Sequence, residues 1–188
     1  MAMGVRQLAQ QTFEQFALSD PKRKWEMHGG RLREKPGMTW AHGQVEVLLA
    51  YQLLQQLDPK QFRVGVDHGR VHTEQTYYIP DVIVVPSAYS LPIRERQDVL
   101  EVYDQPLPLI VEVWSPSTGD YDIDAKLPVY QQRGDLEIWR IHPYERTVVI
   151  WRRQPDGSYT DTTYGGGKVE VASLPGVTID LDQLFARV

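Results

Sequence analysis

The sequence predicts an α/β protein of the mixed α+β kind, with a central β-sheet flanked by helices and preceded by an N-terminal helix and a β-hairpin. Three observations lead there. Residues 79–85 and 109–114 are short runs rich in β-branched residues, the pattern of strands covered on both faces. Val45, Leu48, Leu49, Leu53 and Leu57 recur close to helical period, which gives a helix one apolar face to lay on a sheet. Gly29-Gly30 between residues 24–28 and 31–34 suits a tight hairpin turn, because glycine tolerates positive φ.

Each element follows from a local signal. Helix formers fill residues 8–18, and Ser19-Asp20-Pro21 stops them. Thr39 is placed to cap the second helix. Strands are expected over 62–66, 70–73, 79–85 and 109–114, the two apolar ones forming the central pair, with a charged, Pro-containing loop between those two. Residues 122–133 read as a helix ended by Gly134; Pro128 fits only in its first turn or at a kink. Strands over 136–142 and 147–153, turns at 143–146 and 155–157, a glycine joint at 165–167 and a short helix over 179–186 complete the chain.

The 188 residues fit a single domain over 1–188, with ordinary globular composition at 41% hydrophobic and 24% charged residues. The chain has no cysteine, which removes disulfides, thiolate zinc sites and cysteine nucleophiles. No apolar run is long enough to cross a bilayer and no signal-peptide pattern is visible, so a cytoplasmic address is expected. A net charge of -5 argues against bulk electrostatic binding of nucleic acid, which would need a local basic surface. Arg31, Arg33 and Lys35 alternate and would share one face of a strand; the competing reading is a solvated edge blunted by charge.

Two carboxylates interrupt the apolar runs: Asp81 after Pro80, and Glu112 between Val111 and Val113. An unpaired ionised carboxylate is too costly in a buried strand, so each needs protonation, a basic partner or a metal ion. Pro80 cannot donate to a ladder, which puts Asp81 at a strand start, a bulge or an edge irregularity. If the two strands are neighbours, the pair can converge on one hard cation such as magnesium or manganese. Lys126, beyond Asp122 on the next helix, could stabilise developing charge. The five histidines show no close helical ligand spacing, and only His68 and His72 are set to meet, across Gly69.

These residues carry a family resemblance. Residues 78–85, then 110–118, then Asp122 with Lys126 and Tyr130, then 134–139, resemble the PD-(D/E)XK nuclease superfamily, specifically its Uma-two branch of restriction-endonuclease-like bacterial proteins. Residues 25–32 resemble that branch's N-terminal hairpin. The resemblance implies a restriction-endonuclease-like core, Asp81 and Glu112 as ligands of magnesium or manganese, and hydrolysis of DNA by metal-activated water. It also exposes a departure: where the superfamily's usual motif has its lysine two residues after the Glu, this chain has Trp114, which makes Lys126 the substitute. His142 departs as well, from an acid in relatives.

Glu46 and Glu26 are secondary site candidates, because such folds often add an acid from a neighbouring element, and Asp122 is a third. A non-catalytic nucleic-acid- or protein-binding descendant is the alternative function. A glycosidase built on two carboxylates fits the motifs less well. Cutting two strands with one site per chain favours a homodimer.

Overall fold

The computed structural model describes residues 2–93 and 95–186. Helix α1 (Ala2–Ser19) leads into strands β1 (Trp25–His28) and β2 (Arg31–Glu34), whose turn is made by Gly29 and Gly30 at φ 53° and 79°. Helix α2 (Trp40–Gln56) follows, its start capped by Thr39, whose side chain accepts from the His42 N–H. Strands β3 (Phe62–Val66), β4 (Arg70–Thr73), β5 (Thr76–Tyr78) and β6 (Val82–Pro86), the single turn α3 (Ser87–Ser90), and strands β7 (Val102–Tyr103) and β8 (Leu109–Val113) come next. A π-helical turn, Asp122–Lys126, runs into α4 (Leu127–Arg133). Strands β9 (Glu137–His142), β10 (Thr147–Arg153), β11 (Tyr159–Tyr164), β12 (Lys168–Glu170) and β13 (Thr178–Asp180) precede α5 (Leu181–Phe185).

The main sheet has six strands in the order β11-β10-β9-β8-β6-β3. Its one parallel pair, β8 with β9, is joined through the π turn and α4, because parallel neighbours need a crossover. A second sheet, β2-β1-β5-β4-β7, lies beside it, and β12 pairs with β13 separately. On one face of the main sheet Val82, Val84, Val111 and Val113 pack against Val45, Leu49 and Leu53 of α2 and Leu181 and Leu184 of α5. On the other, Ile83, Val85 and Ile110 meet Tyr130 of α4, Val71 of β4 and Tyr103 of β7. Both faces of β6 and β8 are therefore dry, as their uniform apolarity predicts. Among the described residues no helix is long and apolar enough to cross a membrane.

The structure corrects several local expectations. The run 79–85 is not one strand: β5 ends at Tyr78 in the smaller sheet and β6 begins at Val82 in the larger, so Ile79-Pro80-Asp81 carries the chain from one sheet to the other. The expected terminal helix over 179–186 is half strand, because Ile179 pairs with Val169 before Asp180 caps α5. Strand β11, Tyr-Thr-Asp-Thr-Thr-Tyr, lies on the sheet edge with its middle residues exposed, so it carries no apolar signal.

Candidate active site

The passage between the sheets sets the site. Ile79 belongs to neither ladder, and side chains take both of its backbone groups: Glu26 Oε1 accepts its N–H at 2.9 Å and Lys35 Nζ donates to its carbonyl at 3.0 Å. Asp81, just ahead of β6, donates its N–H to Val111 O at 3.1 Å and accepts the Val113 N–H on Oδ2 at 2.6 Å. Those two groups flank Glu112, so the two interrupting carboxylates stand side by side at the ends of adjacent strands. On the other side the Asp81 carbonyl accepts from Asp67 N–H at 2.8 Å, and Glu112 is in register with Arg140 of β9. A row of charged residues thus crosses four strand ends.

Two buried lysines serve this row. The Lys35 ammonium lies 2.6 Å from Asp81 Oδ1 and 2.6 Å from Asp67 Oδ1, with Lys24 on the other Asp67 oxygen. On the α2 side, His42 Nε2 stands 3.3 Å from both Asp81 Oδ2 and Glu46 Oε1, within ion-pair reach but off hydrogen-bond alignment. Burial opposes ionisation of Asp81, yet Lys35 and His42 outweigh it and hold this carboxyl well below the usual carboxylate range. Burial also disfavours the His42 imidazolium; Asp81 and Glu46 prevail and raise its pKa to about 9. Burial pushes the Glu46 carboxyl up.

The second lysine is Lys126. Its ammonium is 3.1 Å from each Glu112 oxygen, 3.4 Å from Glu26 Oε1 and 3.6 Å from Asp122 Oδ1, and it sits over the Tyr78 ring at 5.6 Å. Tyr130 donates its hydroxyl to Glu112 Oε1. Burial works against the ammonium, but Glu112, Glu26 and Asp122 outweigh it and keep Lys126 protonated. The π turn makes this cluster possible. Its i→i+5 bond, Leu127 N–H to Asp122 O, widens the helix so that Asp122 and Lys126 both turn inward. Pro128, which has no N–H to offer, then falls in the first turn of α4.

The sequence-derived candidates divide cleanly. Asp81, Glu112 and Lys126 converge, joined by Glu26, Asp122 and, through Asp81, Glu46, all at most 4% exposed. Arg31 is exposed and Arg33 half-buried with its guanidinium 3.6 Å from the Tyr121 ring, whereas Lys35 is buried. The expectation that Lys35 shares a solvent face with the two arginines is therefore corrected: β2 ends at Glu34, and the next side chain turns in to satisfy Asp81 and Asp67. His68 and His72 do not meet; His68 Nδ1 bonds Val66 O at 3.0 Å and His72 pairs with Asp104. Trp114 stacks on His142 at 4.3 Å between ring centroids. His42 was missed. Its signal was its spacing, four residues before Glu46 and flanked by the apolar Val45 and Leu49 face.

A divalent ion fits these residues. His42, Glu46 and Asp81 each offer a ligand atom, all within 4.8 Å of one another. Both His42 ring nitrogens and Glu46 Oε1 are buried without a hydrogen-bond partner, and an ion binding there would displace the proton that Asp81 and Glu46 hold on His42. Two carboxylates and an imidazole form an ordinary donor set for such an ion. Asp81 and Glu112, the expected ligand pair, are adjacent, but Glu112 spends both oxygens on Lys126 and Tyr130.

The mixed sheet with its flanking helices is a restriction-endonuclease-like fold. The family model for Uma2, described as "Putative restriction endonuclease", matches residues 10–182, and the chain belongs to that family. The crystal structure of a "putative nuclease belonging to DUF820" from Anabaena variabilis ATCC 29413 superposes with a TM-score of 0.71 at 17% identity, covering 88% of this chain and 91% of that one. No curated protein matches significantly.

Proposed function

We propose that this protein is a divalent-metal-dependent endonuclease that hydrolyses DNA phosphodiester bonds with water. The observation that carries the reading is the adjacency of Asp81 and Glu112 at neighbouring strand ends, with the Lys126 ammonium 3.1 Å from Glu112. Asp81 would hold magnesium or manganese, with Glu112 or with His42 and Glu46 completing the donor set. When bound, such an ion polarises the phosphoryl oxygen and lowers the pKa of an attacking water.

The chain's own groups supply the rest. Lys126 stays protonated, so it acts as fixed positive charge against the developing phosphorane and not as a base. Glu26 and Asp122 orient that ammonium from two further directions. Arg31 and Arg33 on the hairpin offer phosphate contacts outside the site. Two chains acting together would cut both strands.

A cleavage panel tests the reading: purified protein, single- and double-stranded DNA and RNA, magnesium or manganese, beside Asp81→Asn. Metal-dependent DNA cleavage that falls at least about a hundredfold in the variant supports it. Equal activity in both samples would mark a contaminant and sink it. One observation favours the alternative of a non-catalytic binding descendant: every acid of the cluster is buried, and Asp81 and Glu112 are each already paired with a buried lysine. DNA binding without cleavage under any metal would establish that reading instead.

A further inference from the structure

We propose that the outward face of α2 is the surface on which two copies of this chain pair about a two-fold axis. Trp40, Val47, Tyr51 and Leu54 are 80%, 60%, 57% and 61% exposed, an unusual load of large apolar side chains for one helix. Their spacing of seven, four and three residues puts them on one stripe along the helix. Among the described residues nothing covers that stripe.

Charge identifies the occupant. The acid and base of α2, Glu46 and His42, both point inward, so the stripe carries no charge at all. A surface that meets its own copy about a two-fold sets like residues against like, and any charge near the axis would repel itself. A neutral stripe avoids this, with Lys60 and Arg63 confined to the groove beside Leu54. Tyr51 is held in place by Gln55, whose amide donates to its hydroxyl at 2.8 Å.

Shape and area agree. Two grooves adjoin the stripe, one of about 580 Å³ beside Val47 and Tyr51 walled by Leu48, Gln183 and Ala186, the other of about 670 Å³ beside Leu54 walled by Pro59, Phe62 and Leu91 together with Lys60 and Arg63. A ridge beside a groove is self-complementary, because each copy can seat its ridge in the other's groove. The four stripe residues expose about 500 Å² per chain, so two copies bury about 1,000 Å² before the groove walls are added, the threshold for a specific interface.

Sedimentation equilibrium of the full chain, without metal or nucleic acid, tests this independently of the nuclease reading. The wild type should be a two-chain particle at micromolar concentration. Val47→Glu with Leu54→Glu should raise the dissociation constant roughly a hundredfold or more, with an unchanged thermal melt because both sites are on the surface. Mixing that variant with Val47→Lys/Leu54→Lys should restore the two-chain particle, which a general loss of folding would not allow. A wild type that stays monomeric up to about 100 μM overturns the proposal. So does a dimer that survives the glutamate pair, since its interface would lie elsewhere.

Discussion

Replacing Lys126 with methionine should cost the fold more than any surface substitution. The ammonium is buried and stands within 3.1–3.6 Å of the carboxylates of Glu112, Glu26 and Asp122. Lys35 is already engaged by Asp81 and Asp67. Lys126→Met therefore leaves three acids without the ammonium they share, and breaking such a buried pair costs about 3–5 kcal/mol. For a chain of this size that corresponds to a melting temperature lower by about 10 °C. The acids can relieve part of the cost by taking protons, and burial already pushes the Glu112 carboxyl up. Their folded pKa values in the variant rise further above the unfolded ones, so its stability is best at low pH and is lost as pH rises through those values. Urea titrations of wild type, Lys126→Met and Lys126→Met/Glu112→Gln at about pH 5, 7 and 8.5 measure this. The single variant should fall furthest behind at the highest pH, and the added Gln should recover part of the loss by removing an orphaned charge. A single variant within about 1 kcal/mol of wild type at every pH would refute the reasoning.

Three further outcomes follow from the same geometry. The His42 imidazole, raised to about 9 from 6.5, contributes stability that is full below pH 6.5 and lost as pH rises through 9, a limb of at most about 3 kcal/mol; His42→Gln should flatten it in pH-dependent denaturation, and a limb that persists would show another group is responsible. Arg133 bonds Asp135 at 3.0 Å and the carbonyls of Tyr103, Gln105 and His72, so Arg133→Met should cost about 3 kcal/mol by calorimetry and Arg133→Lys should recover little, lacking the planar fork. If DNA binds, Arg31→Glu/Arg33→Glu should weaken it across sequences and reduce the slope of affinity against salt by about 2, and an unchanged slope would move the contact surface elsewhere.

Much of this was legible because the decisive residues contradict their surroundings. Asp81 and Glu112 are charged in runs that are otherwise apolar, and that conflict marks them without any structure. Lys126 stood out only in combination, first with Asp122 and the two strand carboxylates and then through the resemblance, since a lone lysine on a helix looks like an exposed one. Lys35 misled for a related reason: two-residue alternation continues past the end of β2 on paper, but the backbone leaves the strand at Glu34. His42 needed a three-dimensional partner, because one histidine four residues from a glutamate is ordinary until Asp81 arrives from another sheet. The division at Ile79-Pro80-Asp81 was half visible, because Pro80 puts Asp81 at a strand start, but pattern reading does not see which sheet each side will join.

Two of the charged partners in this row come from the smaller sheet. Asp81 and Glu112 stand at strand ends of the larger sheet, whereas Glu26 is on β1 and Lys35 directly follows β2, both in the smaller one. Ile79 is clasped by those same two side chains. Drawing the smaller sheet away would strip Asp81 of its ammonium and Lys126 of one carboxylate in the same movement. Access and electrostatics are thus one coordinate in this molecule: opening the row by that route leaves Asp81 to His42 alone while Lys126 stays with Glu112 and Asp122.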